Sequence, residues 1–181
     1  MSSAARATDR LGYAAMSIEV RAVWPEEFEE AGRVTALAYR EFAPPENEDW
    51  EEYLGRIADV SRRVRRALVL GAFENGRVLG TVTLELDQRI EGGHDRDPLA
   101  PDEAHIRMLG VDPGARGRGA GRALMDAAAR EARAAGKRRV TLGTTERMVA
   151  AQGLYEAMGF VRGPDQVFDD GFRLRIYELA L

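Results

Sequence analysis

The chain has 181 residues, about one domain's worth, and 45% apolar with 31% charged residues is a balance that excludes a disordered or fibrous protein. It has no cysteine and two histidines, His94 and His105, which excludes disulfides, thiolate-held zinc or iron–sulfur sites and a covalent enzyme thioester, and leaves no metal site to expect. A net charge of −4, from 26 basic and 30 acidic residues, points to neither a nucleic-acid binder nor a polybasic membrane anchor.

No apolar run approaches the ~20 residues that span a bilayer, and residues 1–15 lack the apolar stretch of a secretory signal. The expectation is a cytoplasmic protein with a disordered leader over 1–15 and one domain over 16–181. Ser17 to Val23 alternates Ile18, Val20 and Ala22 as a strand does, and Pro25 then opens a helix from Glu26 to about Phe42, ahead of Pro44 and Pro45. A second, charged helix is expected over Asn47 to Arg66. Arg65 to Phe73 and Arg77 to Leu86 are β-prone runs joined through Asn75-Gly76, a strong hairpin signal. Gly92, Gly93, Pro98 and Pro101 mark a loop that holds His94, and Glu103 to Val111 is the next strand. A glycine-rich turn leads into a helix over Ala120 to Ala135, ended by Gly136. Arg139 to Leu142 is a strand, Arg147 to Met158 a helix capped by Gly159, and Phe172 to Leu179 the last strand.

Charge is distributed unevenly. Between Gly114 and Arg139 eight basic residues stand against two acidic ones, either an anion site or a solvated helix face. From Val23 to Val60 eleven acids stand against three arginines, either a weak attraction for a cationic partner or a solvated surface.

The turn Arg116-Gly-Arg-Gly-Ala-Gly-Arg122 joins strand to helix. The first N–H groups of a helix have no internal partner and carry the positive end of its dipole, so they bind an anion where no side chain blocks approach. Gly117, Gly119 and Gly121 would keep that approach open, and Arg116, Arg118 and Arg122 would add charge. A nucleotide P-loop is excluded because Gly-Arg-Ala stands where Gly-Lys-Ser/Thr is needed. A dinucleotide fold is excluded because Arg122 replaces its third glycine and Leu142-Gly143 its terminal acid.

Arg116-Gly-Arg-Gly119-Ala-Gly121 resembles the acyl-coenzyme A loop of the GCN5-related N-acetyltransferases, Gln/Arg-x-x-Gly-x-Gly/Ala. Leu109-Gly-Val111-Asp-Pro113 before it and Gly153-Leu-Tyr155-Glu-Ala-Met-Gly159-Phe160 after it look like two further blocks of that family, in order. The resemblance implies an α/β (α+β) domain with a central mixed, mostly antiparallel twisted sheet of six to seven strands and helices on both faces. It implies acetyl-CoA as cofactor, with the main chain of Leu109, Gly110 and Val111 pairing with the pantetheine arm. The amides of Arg116, Gly117, Arg118, Gly119, Ala120, Gly121 and Arg122 would hold the diphosphate. Tyr155 matches the family tyrosine that gives a proton to the departing thiolate, an exchange between a phenol near ~10 and a thiol near ~8.5. One departure stands out: Met148 occupies the place, seven residues before Tyr155, where many relatives have asparagine.

Without cysteine, the acyl group is expected to pass directly from thioester to a primary amine. That amine must lose a proton, and Glu103 and His105, two residues apart on one strand, are the candidate bases. The expected acceptor is a small molecule; a peptide or protein amine, or an acyl-CoA sensor without turnover, are the alternatives. The resemblance also raises a homodimer, for which Phe172 to Leu179 offers an edge.

Overall fold

The computed structural model describes residues 18–43, 49–87, 89–90, 98–169 and 171–181. The expected leader, the strand start at Met16 and Ser17, the helix start at Asn47, and His94 lie outside them.

The first alternation yields β1 (Glu19–Ala22), and Pro25 opens a 3₁₀ turn (Pro25–Glu27) leading into α1 (Phe28–Arg40). Glu27 fixes that entry by accepting from the Trp24 N–H at 2.8 Å and from Arg21 at 2.6 and 2.8 Å. The single helix expected over 47–66 is two, α2 (Trp50–Ala58) and α3 (Val60–Arg63). Asp59 breaks it. Its carboxylate accepts from the Arg62 N–H at 3.0 Å and the Ser61 hydroxyl at 2.6 Å, so the side chain caps a new helix and competes with continuation of the old one. At the crossing of α1 and α2 a Cβ on Gly32 would lie 2.0 Å from the Ala58 carbonyl oxygen, so only glycine permits this approach.

β2 (Leu68–Glu74) starts three residues later than expected, because the Arg66 and Ala67 N–H groups both close onto the Arg63 carbonyl at 3.1 Å. It turns into β3 (Arg77–Glu85) through Asn75 at φ 51° and Gly76 at φ 77°, the two left-handed residues of a type I′ hairpin. There follow β4 (Glu103–Val111), α4 (Ala120–Ala134), β5 (Arg139–Thr144), α5 (Val149–Ala157), β6 (Val161–Arg162), β7 (Gln166–Val167) and β8 (Arg173–Ala180).

The strand order is β1-β2-β3-β4-β5-β8-β6, with β7 also on β8. Every pairing is antiparallel except β4 with β5. The eight strands exceed the expected six to seven by the two-residue β6 and β7, too short to leave an alternating pattern. Leu124, Ala128 and Ala132 of α4 and Tyr155 of α5 pack on one face with Leu84, Ile106, Val140 and Leu142. Ala31 and Val34 of α1 and Val60 of α3 pack on the other with Val69, Phe73 and Val78. Among the described residues no helix is long and apolar enough to cross a membrane.

Candidate active site

Parallel β4 and β5 pair only from Glu103–Arg139 to Ile106–Leu142. Beyond that rung β5 follows β8 to the Thr144–Arg175 pair while β4 follows β3 to Val111–Gly80, so the two strands part in a fork. The cause lies in β4. Between its pairs Arg107–Thr83 and Gly110–Thr81 it spends two residues against one on β3, and Met108 takes φ 54°. Such a bulge adds twist and bends the strand away from its neighbour. Leu109, Gly110 and Val111 lie past the fork and, among the described residues, have no strand partner on the β5 side. Methionine seldom adopts a left-handed conformation, so nothing in the sequence signalled the bend.

Beyond Val111, Asp112 ties down the start of the turn, its carboxylate accepting from the Gly114 N–H at 2.8 Å and from Arg77 at 3.2 Å. Gly117 at φ 76° and Gly119 at φ 89° then aim the chain into α4, and Gly119 is its N-cap with no side chain to cap it. A Cβ on either would meet nothing within 4 Å. Among the described residues, no main-chain N–H from Arg116 to Arg122 donates to a protein acceptor. Gly121 differs from the expectation: its Cβ direction points at Leu154, 3.4 Å away, and Val111, so it backs onto protein. The arginines differ too. Arg116 pairs with Glu41, Arg118 with Glu74, and Arg122 with Asp126 at 3.9 Å, because each exposed guanidinium finds a carboxylate within reach. Exposed pairs of this kind are worth about 0–1 kcal/mol, so an arriving anion can displace them. A pocket of about 350 Å³ flanks the loop on the hairpin side, between Asn75, Arg77 and Arg118, away from the fork.

Tyr155 is buried between Phe160 and Tyr177, with ring centroids 5.8 and 5.7 Å away. Burial first, and then the Tyr177 phenol, raise its pKa well above the ordinary tyrosine value, so it stays protonated and offers a hydrogen. Full proton loss therefore costs more than the sequence-level comparison of phenol with thiol allowed. From the opposite face, Tyr39 of α1 is raised by burial and then by the phenols of Tyr53 and Tyr155, with Arg107 pulling it down. Tyr39, Tyr53 and Trp50 form an aromatic run there, Trp50 to Tyr53 being 4.8 Å between centroids. Their spacing on two separate helices gave no pattern to read.

Glu103 and His105 meet through a residue the sequence did not single out, Thr141 of β5. Its hydroxyl lies 2.6 Å from Glu103 Oε1 and 2.8 Å from His105 Nδ1. Met148, in the asparagine position, is the N-cap of α5 and caps nothing with its side chain. Gln152 holds that turn instead, its Nε2 donating to the carbonyls of Thr145 at 2.9 Å and Glu146 at 3.3 Å. Arg175 donates in turn to the Gln152 Oε1 at 2.7 Å. Among the described residues no cluster of candidate metal ligands occurs.

A strand fork, a bulged central strand and a helix opening on bare amides together give the domain a split sheet beside an open helix start. The family model described as acetyltransferase (GNAT) family matches residues 31–160, and the chain belongs to that family of acyltransferases. A GNAT acetyltransferase from Desulfovibrio desulfuricans superposes with a TM-score of 0.68 at 18% identity, over 91% of this chain and 99% of that one. The YncA structure from Salmonella typhimurium, solved with its cofactor acetyl-CoA, gives 0.65 at 20% identity, over 91% and 94%. In sequence, a mycothiol acetyltransferase from Geodermatophilus obscurus is 34% identical over 118 residues, 65% of this chain and 36% of that protein. The curated relatives are much longer, and the chain spans between 20% and 36% of their length.

Proposed function

We propose that the protein transfers an acetyl group from acetyl-CoA directly to a primary amine of a small molecule. The observation that carries this reading is the row of unpartnered amides at Gly119 and the start of α4, opening on space no side chain fills. Those amides, from Arg116 to Arg122, would hold the diphosphate, which is offered directed N–H donors and the helix dipole together. The free edge of Leu109, Gly110 and Val111 would take the pantetheine amides as a strand takes its neighbour. When bound, acetyl-CoA supplies an activated acyl carbon with a thiolate as leaving group.

The chain's residues do the rest. Tyr155, kept protonated by burial, donates a hydrogen bond to the sulfur as its charge develops. His105, one rung before the last β4–β5 pair, and Glu103, three rungs before it, are the candidates that take the proton of the incoming amine. With no cysteine in the chain, the acyl group has no thiol to rest on. The small-molecule choice is supported by the relatives' name, mycothiol acetyltransferase. The acids in and beside α1 and α2 add little to it, since Glu27, Glu41, Glu51, Glu52 and Asp59 are each engaged by a partner within the protein.

The test is release of free thiol from acetyl-CoA across a panel of small amines and basic peptides. Release with small amines supports the reading. Release with peptides alone moves the acceptor to a protein amine, and tight binding of acetyl-CoA without release from any acceptor makes the domain a sensor.

A further inference from the structure

Resting on the reading of the fork as the seat of acetyl-CoA, we infer that Thr144 of β5 is a further binding residue, its hydroxyl bonding the amide of the pantetheine arm nearest the thioester. The observation behind it is a buried polar atom with nothing to bond. Thr144 is 3% exposed, and its Oγ1 is buried without a hydrogen-bond partner among the described residues. A hydroxyl held away from water and left unpaired opposes folding, and most buried polar side chains avoid that state. Valine has nearly the same shape and the same liking for a strand, so shape alone does not call for a threonine here. Two other buried atoms without hydrogen bonds differ in kind. Arg63 Nε belongs to a guanidinium that already donates to Thr83 at 2.7 Å and Thr35 at 3.3 Å, and Glu85 Oε2 lies 3.7 Å from Arg89.

Position gives the hydroxyl its partner. The β4–β5 ladder closes at Ile106–Leu142, and Thr144 lies two residues past that rung, paired with Arg175 of β8. Side chains alternate along a strand, so Thr144 follows Val140 and Leu142 onto the face where both pack in the core with Tyr155. Thr141 turns the other way, to Glu103 and His105. Continued past its last rung, the ladder would set Thr144 opposite Met108, the residue at which β4 bends away.

An arm tied by its diphosphate to the amides before α4, and running along Val111, Gly110 and Leu109, comes to this point with its acyl end. Tyr155, on the same face, is the proposed donor to the sulfur, and the next polar group along the arm is an amide. Once the arm is out of water that amide needs partners, and a hydroxyl can donate to its carbonyl or accept from its N–H. Thr144 Oγ1 is shielded from water in the free protein. Rotation about χ1 exchanges the hydroxyl with the methyl and turns it toward the arm with the backbone in place.

The test needs no acceptor and uses the full chain. A hydroxyl kept for a ligand destabilises the free protein, so Thr144→Val should raise the urea midpoint measured without ligand. The same variant should bind acetyl-CoA about tenfold more weakly by titration calorimetry, and Thr144→Ser, which keeps the hydroxyl, should bind as the wild type does. The loss should be equal for CoA and acetyl-CoA, absent for 3′-phospho-ADP, the fragment without the arm, and insensitive to salt, since no net charge is involved. A packing role predicts the opposite pairing, lower stability with affinity intact, and that result overturns the proposal, as does misfolding of Thr144→Val. Equal losses in Thr144→Val and Thr144→Ser assign the effect to shape and overturn it too. A loss shared by 3′-phospho-ADP, or one confined to acetyl-CoA, overturns the assignment to the amide. Failure of the wild type to bind acetyl-CoA fails the transfer reading and this contact together. Tight wild-type binding with Thr144→Val unchanged fails the contact alone, and binding without turnover of any amine fails the transfer reading while the affinities still decide the contact.

Discussion

Replacing Gly119 separates the charge of the proposed diphosphate site from its shape. The residue sits at φ 89°, ψ 0°, with no atom within 4 Å of a Cβ, so a side chain there clashes with nothing and enters the space the amides face. Asn and Asp both tolerate the left-handed region and have the same size, which leaves the formal charge as the difference between Gly119→Asn and Gly119→Asp. A carboxylate about 4 Å from each of two phosphate charges costs about 1 kcal/mol per pair in water-like surroundings and about 4 at an effective dielectric of 20. The loop is open to solvent, so a total near ~4 kcal/mol is expected, or about a 10³-fold loss of affinity. Titration calorimetry with acetyl-CoA should give a modest loss for Gly119→Asn and that larger loss for Gly119→Asp, the gap narrowing as salt is raised. Equal affinities for the two variants would mean that no anion sits against the start of α4.

Tyr155→Phe keeps the ring contacts with Phe160 and Tyr177 and removes the donor, so turnover should fall by about 10²-fold with acetyl-CoA affinity unchanged; equal loss of both would make Tyr155 a packing residue. Tyr39, Tyr53 and Tyr155 all have pKa values raised chiefly by burial, so in the folded state they hold protons that the unfolded chain releases near pH ~10. Their contribution to stability is complete below that pH and is lost as pH rises above it; Arg63, lowered to about 10 by burial, works in the opposite sense. Urea unfolding at increasing pH should show a decline that Tyr155→Phe blunts, and equal declines in the two proteins would refute the linkage. Asp59→Ala removes the cap of α3 and should cost about 1 kcal/mol near neutral pH. The Asp59 carboxyl is held below its ordinary value by the Ser61 hydroxyl and then the Arg62 N–H, so its contribution is present above the unfolded carboxyl pKa and is lost as pH falls through the folded one. Wild type and Asp59→Ala should therefore converge in acid, and a constant gap would assign the loss to something other than the carboxylate.

What the sequence could reveal depended on whether the signal was local. Asn75-Gly76 announces its turn because two successive left-handed residues are tolerated by few pairs, and Gly117 and Gly119 announce an open loop because the missing side chains are themselves the feature. Asp59 was readable in principle as a cap followed by Ser61 and Arg62, but the charged, helix-prone run around it hid the break. The fork was not readable: it needs Met108 in a conformation methionine rarely takes and a β4–β5 ladder that stops at Ile106, both settled by packing between strands far apart in the chain. Thr141 is the sharpest case, since a threonine in an apolar strand is unremarkable until register sets it between a carboxylate and an imidazole 38 and 36 positions away.

Charge was legible as composition but not as availability. The basic segment around the loop suggested arginines waiting for phosphate, yet Arg116, Arg118 and Arg122 each rest on a carboxylate, two of them brought from the distant Glu41 and Glu74. In the proposed anion site the loop's own contribution would be its unpaired amides, fixed in direction by Gly117 and Gly119, with the arginines adding only what remains after their carboxylates are displaced. A phosphate site built from main chain would tolerate wide variation in the side chains around it, provided the two positions at φ 76° and 89° keep that conformation and bring no negative charge. The glycine spacing, rather than the local excess of arginine, was therefore the physically meaningful part of the motif.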